Sequence, residues 1–184
     1  KKLSPWAPPA RREAIAVTYG QMGELAHRGA GVLQSIGVMD GDKVMIMSEN
    51  RPEWGITYFA TMLAGAISVP LDSQLTLPEV ENLIRVSRAK AIVLSRRVAE
   101  RLAADAGLAV PAPEHNHDSN PLFHVWSPAH PALEQYFERV LGEANAQVLA
   151  YDELLWNADA PKAGVVAPLS FLESVELHGA SSDY

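Results

Sequence analysis

Two short polar runs, Ser48-Glu49-Asn50-Arg51 and Leu71-Asp72-Ser73-Gln74, contain the residue types best suited to meeting a polar ligand. Each follows an apolar run that suits a strand. In an open parallel sheet, ligands bind beyond the carboxyl ends of the strands, where helix N-termini also point their free backbone donors. Asn50 and Asp72, with the neighbouring Trp54 and Leu71, are therefore the candidate substrate-binding residues. A plainer reading has Asn50 capping a helix and Asp72 shaping a turn, and capping alone explains most of these residue types. No catalytic residue is assigned. Ser48 and Ser73 lie in no Gly-x-Ser-x-Gly elbow, and the histidines stand at no telling spacing from a nucleophile.

Two other constellations are set aside. His115-Asn116-His117-Asp118, with His124 nearby, has the imidazoles and carboxylate that zinc accepts, but a metal needs a rigid frame and a loop offers little. The expectation is a solvated loop and no metal site. Gly29-Ala30-Gly31 lacks the third glycine of a dinucleotide loop and falls inside a helical pattern, so close helix packing explains it better. No Gly-x-x-x-x-Gly-Lys-Ser/Thr run exists, so the sequence has no recognisable phosphate cradle.

The bulk numbers fit this picture. The 184 residues allow one domain with a buried core. Hydrophobic content of 48% with 20% charged residues is that of a globular chain. A net charge of −7 argues against nucleic acid as a partner. With no cysteine, disulfides and thiolate chemistry are excluded, which agrees with a cytoplasmic location. The uncharged stretch from Ile56 to Leu71 is shorter than the roughly 20 residues that span a bilayer and contains Gly65 and Pro70. A buried helix leading into a strand is expected there. Peripheral membrane contact and a homodimer stay open.

The elements that must position the two polar turns follow from local signals. Ala14–Val17 suits a strand, and Thr18 with Gln21 forms a capping box for a helix that Gly37 stops. Lys43–Met47 reads as a strand buried on both faces. Asn50 is expected to cap the next helix, with Pro52 in its first turn; from Trp54 to Leu63 that helix is apolar nearly all round and should be deeply packed. Ile67–Val69 is a strand closed by Pro70. Thr76 and Glu79 make a second capping box, Ala89–Leu94 is a strand, and Val98–Ala106 a helix ending at Gly107. Val110–Pro131 is expected to be a long surface loop. Leu133–Leu141 suits helix or strand, Gln147–Ala150 is a short strand, and Tyr151–Trp156 one or two helical turns. Strands alternating with helices predict an α/β fold with a doubly wound, mostly parallel sheet and helices on both faces.

Several runs resemble the AMP-forming (adenylate-forming) acyl-CoA synthetases. They are Thr18-Tyr19-Gly20-Gln21-Met22-Gly23-Glu24-Leu25, Gly37-Val38-Met39-Asp40-Gly41-Asp42-Lys43-Val44, Asn50-Arg51-Pro52-Glu53-Trp54, Ala64-Gly65-Ala66, Val69-Pro70-Leu71-Asp72 and Ala89-Lys90-Ala91 with Ser95. The likeness is greatest to bacterial long-chain fatty-acid–CoA ligases. It is strong from Ala14 to Ser95, weak from Gly107 to Ala146, and returns from Val148 to Leu155.

The resemblance implies the N-terminal subdomain of a longer enzyme. Residues 1–13 would be an extended segment, 14–107 a regular β/α core, 108–131 a Pro/His-rich loop, and 132–184 an irregular extension ending before the phosphate-binding loop. It also tips Leu133–Leu141 toward strand. The implied reaction joins a fatty acid to ATP, releasing pyrophosphate, and then passes the acyl group from acyl-AMP to the CoA thiol, with Mg2+ neutralising phosphate charge. ATP, Mg2+ and CoA would be cofactors or substrates of the parent enzyme, and this chain alone would bind none of them tightly and be inactive. Two alternatives remain: an adenylating domain that loads a carrier protein, and a non-catalytic binding or dimerisation module.

Overall fold

The computed structural model describes residues 17–110 and 128–155. Four strands, β1 (Lys43–Met47), β2 (Ile67–Leu71), β3 (Ala91–Leu94) and β4 (Gln147–Ala150), form one sheet in the order β2-β1-β3-β4. Every pairing is parallel. Helices α1 (Tyr19–Ser35), α2 (Pro52–Leu63) and α6 (Tyr151–Leu155) cover one face, and α3 (Leu77–Ser87), α4 (Arg96–Asp105) and α5 (Ala129–Leu141) the other. This is the expected doubly wound α/β arrangement.

Strand alternation divides the core. Val44, Ala91, Val93 and Leu149 pack toward α1, α2 and α6, while Met45, Met47, Ile92, Leu94 and Val148 pack toward α3, α4 and α5. Strands buried on both faces have no polar side to show, which is why they read as unbroken apolar runs. Each fully buried Leu, Ile or Met in these layers contributes about 1.5–3 kcal/mol of transfer free energy.

Gly29 and Gly31 lie inside α1, where tight packing was expected. A Cβ on Gly29 would stand 2.9 Å from the Ala60 Cβ and 2.9 Å from the Leu155 Cδ2, so glycine lets α1 close on α2 and α6. Both capping boxes form. Thr18 Oγ1 accepts from the Gln21 N–H at 3.2 Å, and Glu79 Oε2 accepts from the Thr76 N–H at 2.7 Å.

Several local expectations are corrected. Val17 is not in a strand, and Ala14–Ala16 lie outside the described residues. β2 runs through Pro70 to Leu71; it is an edge strand, where a residue lacking an N–H is tolerated. β3 begins at Ala91 rather than Ala89, and α4 at Arg96, because Ser95 caps it by accepting from the Val98 N–H at 3.3 Å. α2 is less enclosed than its composition predicts. Phe59 and Met62 stay about half exposed, while Glu53, Thr57 and Thr61 are buried.

Leu133–Leu141, which the resemblance tips toward strand, is helical instead, and the helix starts earlier, at Ala129, inside the expected loop. Ala129, Leu133 and Phe137 recur every four residues and are fully buried against α3 and α4, while Pro131, Gln135 and Arg139, which would share their face in a strand, are exposed; that pattern is helical. α5 also serves the sheet edge. Glu134 Oε2 accepts from the Val148 N–H at 2.9 Å, satisfying a donor on the outer side of edge strand β4. The His115, His117, Asp118 and His124 loop lies outside the described residues.

Candidate functional site

The strand order reverses between β1 and β3. The chain passes from β1 outward to β2, then crosses to β3 and on to β4. The connections leaving β1 and β3 therefore go to opposite faces, α2 on one and α4 on the other. The crevice this opens at the carboxyl ends is where sheets of this kind bind ligands.

That crevice is bridged by hydrogen bonds. Ser95, after β3, donates its hydroxyl to the Glu49 carboxylate, after β1, at 2.6 Å. Arg51 reaches Glu53 through Nη2 at 2.8 Å and Nε at 3.2 Å, and lies 3.7 Å from Glu49. Tyr151, which follows β4, places its hydroxyl 2.5 Å from the Ser48 Oγ. The Ser48 hydroxyl also lies 2.8 Å from the Glu49 carbonyl, an acceptor for it. Nearby, His130 Nε2 is 3.4 Å from the Leu94 carbonyl at the end of β3.

The electrostatics follow from this geometry. Burial pushes the Glu49 carboxyl up, but the Ser95 hydroxyl, its own backbone, Arg51 and Arg97 together hold it below its ordinary value. The Glu53 hydrogen bond keeps the Arg51 guanidinium more firmly protonated than usual, against the opposing effect of burial. Burial drives the Tyr151 phenol up to about 12. Near neutral pH the set therefore comprises ionised Glu49, charged Arg51 and neutral Tyr151. It can bind and orient polar groups. A carboxylate held this low is a weak base, and Ser48 has a neutral phenol beside it rather than a base that could activate it.

The four predicted site residues lie at this edge. Met47 and Leu71 pair across β1 and β2, which brings the two polar turns side by side. Asn50 is exposed on the first turn, and it does not cap α2: Arg51 occupies that position with extended backbone (φ −142°, ψ 154°). Trp54 is partly buried and stacked on Tyr58, with centroids 5.7 Å apart. Leu71 is half-buried. Asp72 is exposed and accepts from the Gln74 N–H at 2.8 Å, a turn-shaping bond. The network that spans the crevice instead joins Ser48, Glu49, Arg51, Ser95 and Tyr151. Ser95 and Tyr151 each follow a strand that the sequence predicts, so the same strand-end rule could have found both.

Among the described residues, no three His, Cys, Asp or Glu side chains gather where a metal could sit. Glu49 and Glu53 share Arg51 instead, so the edge does not suit a magnesium ion. Nor is any described helix long and apolar enough to cross a membrane.

The chain belongs to the AMP-binding enzyme family, whose model matches residues 6–147. It is 31% identical over 182 residues to a feruloyl-CoA synthase of Amycolatopsis sp., covering 91% of this chain and 37% of that protein. It is 33% identical over 79 residues to the long-chain-fatty-acid–CoA ligase FadD13 of Mycobacterium tuberculosis, covering 43% of this chain and 16% of the ligase. A solved Mycobacterium tuberculosis fatty acyl CoA synthetase superposes with a TM-score of 0.55 at 25% identity, over 82% of this chain and 25% of that one. The chain thus spans little more than a third of the length of the first of these relatives, and less of the others.

Proposed function

We propose that this chain supplies the amino-terminal subdomain of an ATP-dependent ligase that activates a fatty acid as acyl-AMP and transfers the acyl group to CoA. The observation that carries the reading is the family match across residues 6–147, coupled with a parallel sheet whose switch-point edge bears a preorganised polar network. In the proposed reaction the carboxylate attacks the α-phosphorus of ATP, pyrophosphate leaves, and the CoA thiol then displaces AMP. Asn50, Trp54, Leu71 and Asp72 are proposed to face substrate, with Ser95 and Glu49 fixing the turn that bears Asn50. The described residues contain no phosphate loop and no metal cage, so ATP and Mg2+ are proposed to depend on portions of the relatives' length that this chain does not span.

Acid-dependent ATP–pyrophosphate exchange tests the proposal. The 184-residue chain would be compared with the protein read through to its natural stop codon, using acetate, ferulate and palmitate. Exchange in the longer protein alone, highest with palmitate, is expected. A preference for ferulate would replace the fatty acid with an aryl acid. Exchange without acyl-CoA formation would point to a carrier protein as acceptor. A folded longer protein silent with every acid would leave a non-catalytic module.

A further inference from the structure

The opposite end of the sheet holds a second group of charged residues that the ligase reading does not use. Arg85 and Arg88, at the end of α3, line a cleft of about 460 Å3 with Leu141, Glu143 and Ala144 from the end of α5 and the turn after it. Among the described residues, no carboxylate comes within ion-pair distance of either guanidinium.

Arg88 has an unusual backbone. Gly37, Gly65, Gly107 and Gly142 follow α1, α2, α4 and α5, all at positive φ. Arg88 ends α3 in the same left-handed region, at φ 53°, and is the only non-glycine residue there among those described. A Cβ crowds the following carbonyl in that conformation, so glycine is the ordinary choice. The side chain is present against local preference, and it lines the cleft.

Opposing the negative end of a helix is the usual task of a cation at such a place. Here that task is already filled. Arg85 lies in the last turn of α3 and Lys43 Nζ donates to the Ser87 carbonyl at 2.9 Å, which leaves Arg88 without that role.

We propose that this cleft binds a phosphomonoester. Two guanidinium forks match the charge and oxygen geometry of one dianionic phosphate. Leu141 and Ala144 offer its carbon substituent an apolar wall. Glu143, on the same wall, repels the additional charges of a polyphosphate.

Calorimetry with phenyl phosphate on the 184-residue chain tests the site, with phosphatidic acid in phosphatidylcholine vesicles as a second arm to separate a soluble ester from a lipid headgroup. Arg88→Gly is expected to weaken binding about tenfold or more while leaving the melting temperature undiminished. Arg85→Gln should weaken it similarly, and Glu143→Gln should tighten it. Binding in either arm that depends on both arginines supports the site and names the source of the phosphate. No saturable binding in either arm up to about 10 mM, or binding indifferent to both substitutions, overturns it.

Discussion

Ser48 and Tyr151 are 103 positions apart in the chain, yet their hydroxyl oxygens meet at 2.5 Å on the carboxyl edge of the sheet. The contact ties the end of β1 to the start of α6, and Tyr151 is buried where it forms. A phenol buried beside two carboxylates resists ionisation, which makes the contact a source of pH dependence.

Tyr151→Phe should therefore act in two ways. At neutral pH it removes one hydrogen bond, costing about 1 kcal/mol. In alkali the sign reverses. A phenol at about 12 in the folded state and 10.0 ordinarily stays protonated longer when folded, so its stabilising contribution is complete below pH 10 and is lost as pH rises toward 12. That loss amounts to about 2–3 kcal/mol, and the Phe variant should not show it. Urea unfolding from pH 8 to 12 would check this; parallel curves for the two proteins would refute it.

Gly29→Ala should destabilise the fold by about 1–3 kcal/mol, although alanine is the better helix former. The new methyl would meet the Ala60 Cβ at 2.9 Å, an atom fixed to its backbone that cannot turn aside. Gly23→Ala, in the same helix with nothing within 4 Å, should stabilise by up to about 1 kcal/mol. Opposite shifts in the urea midpoint are expected.

Ser95→Ala should cost about 2–3 kcal/mol, since it removes both the cap of α4 and the donor to Glu49. The Glu49 carboxyl should rise toward its ordinary value. Its folded-state depression stabilises the protein above the unfolded carboxyl range and is lost as pH falls, so the variant should be less sensitive to acid. NMR titration of the Glu49 side chain would follow the first effect and acid unfolding the second.

The alternation of strand and helix, both capping boxes, the glycine that stops α1 and the parallel sheet were all legible in the residues, because each depends on neighbours within a few positions. Proline at Pro70 and apolar residues at Phe59 and Met62 misled for the same reason. Local composition does not tell an edge strand from a central one, or which side of a helix faces water. Leu133–Leu141 was ambiguous until α3 and α4 supplied the surface that Ala129, Leu133 and Phe137 cover.

The two polar turns could be recognised as strand ends, and β1–β2 pairing does set them side by side. Their partners could not be read in advance. Whether Glu49 meets Ser95, and Ser48 meets Tyr151, depends on the order β2-β1-β3-β4, which brings residues 46 and 103 positions apart within hydrogen-bonding distance. Periodicity and caps are short-range properties, so the sequence by itself determined the elements and the ends on which a site could form. Strand order is a long-range outcome of burying both faces of the sheet, and it alone decided which side chains share the crevice.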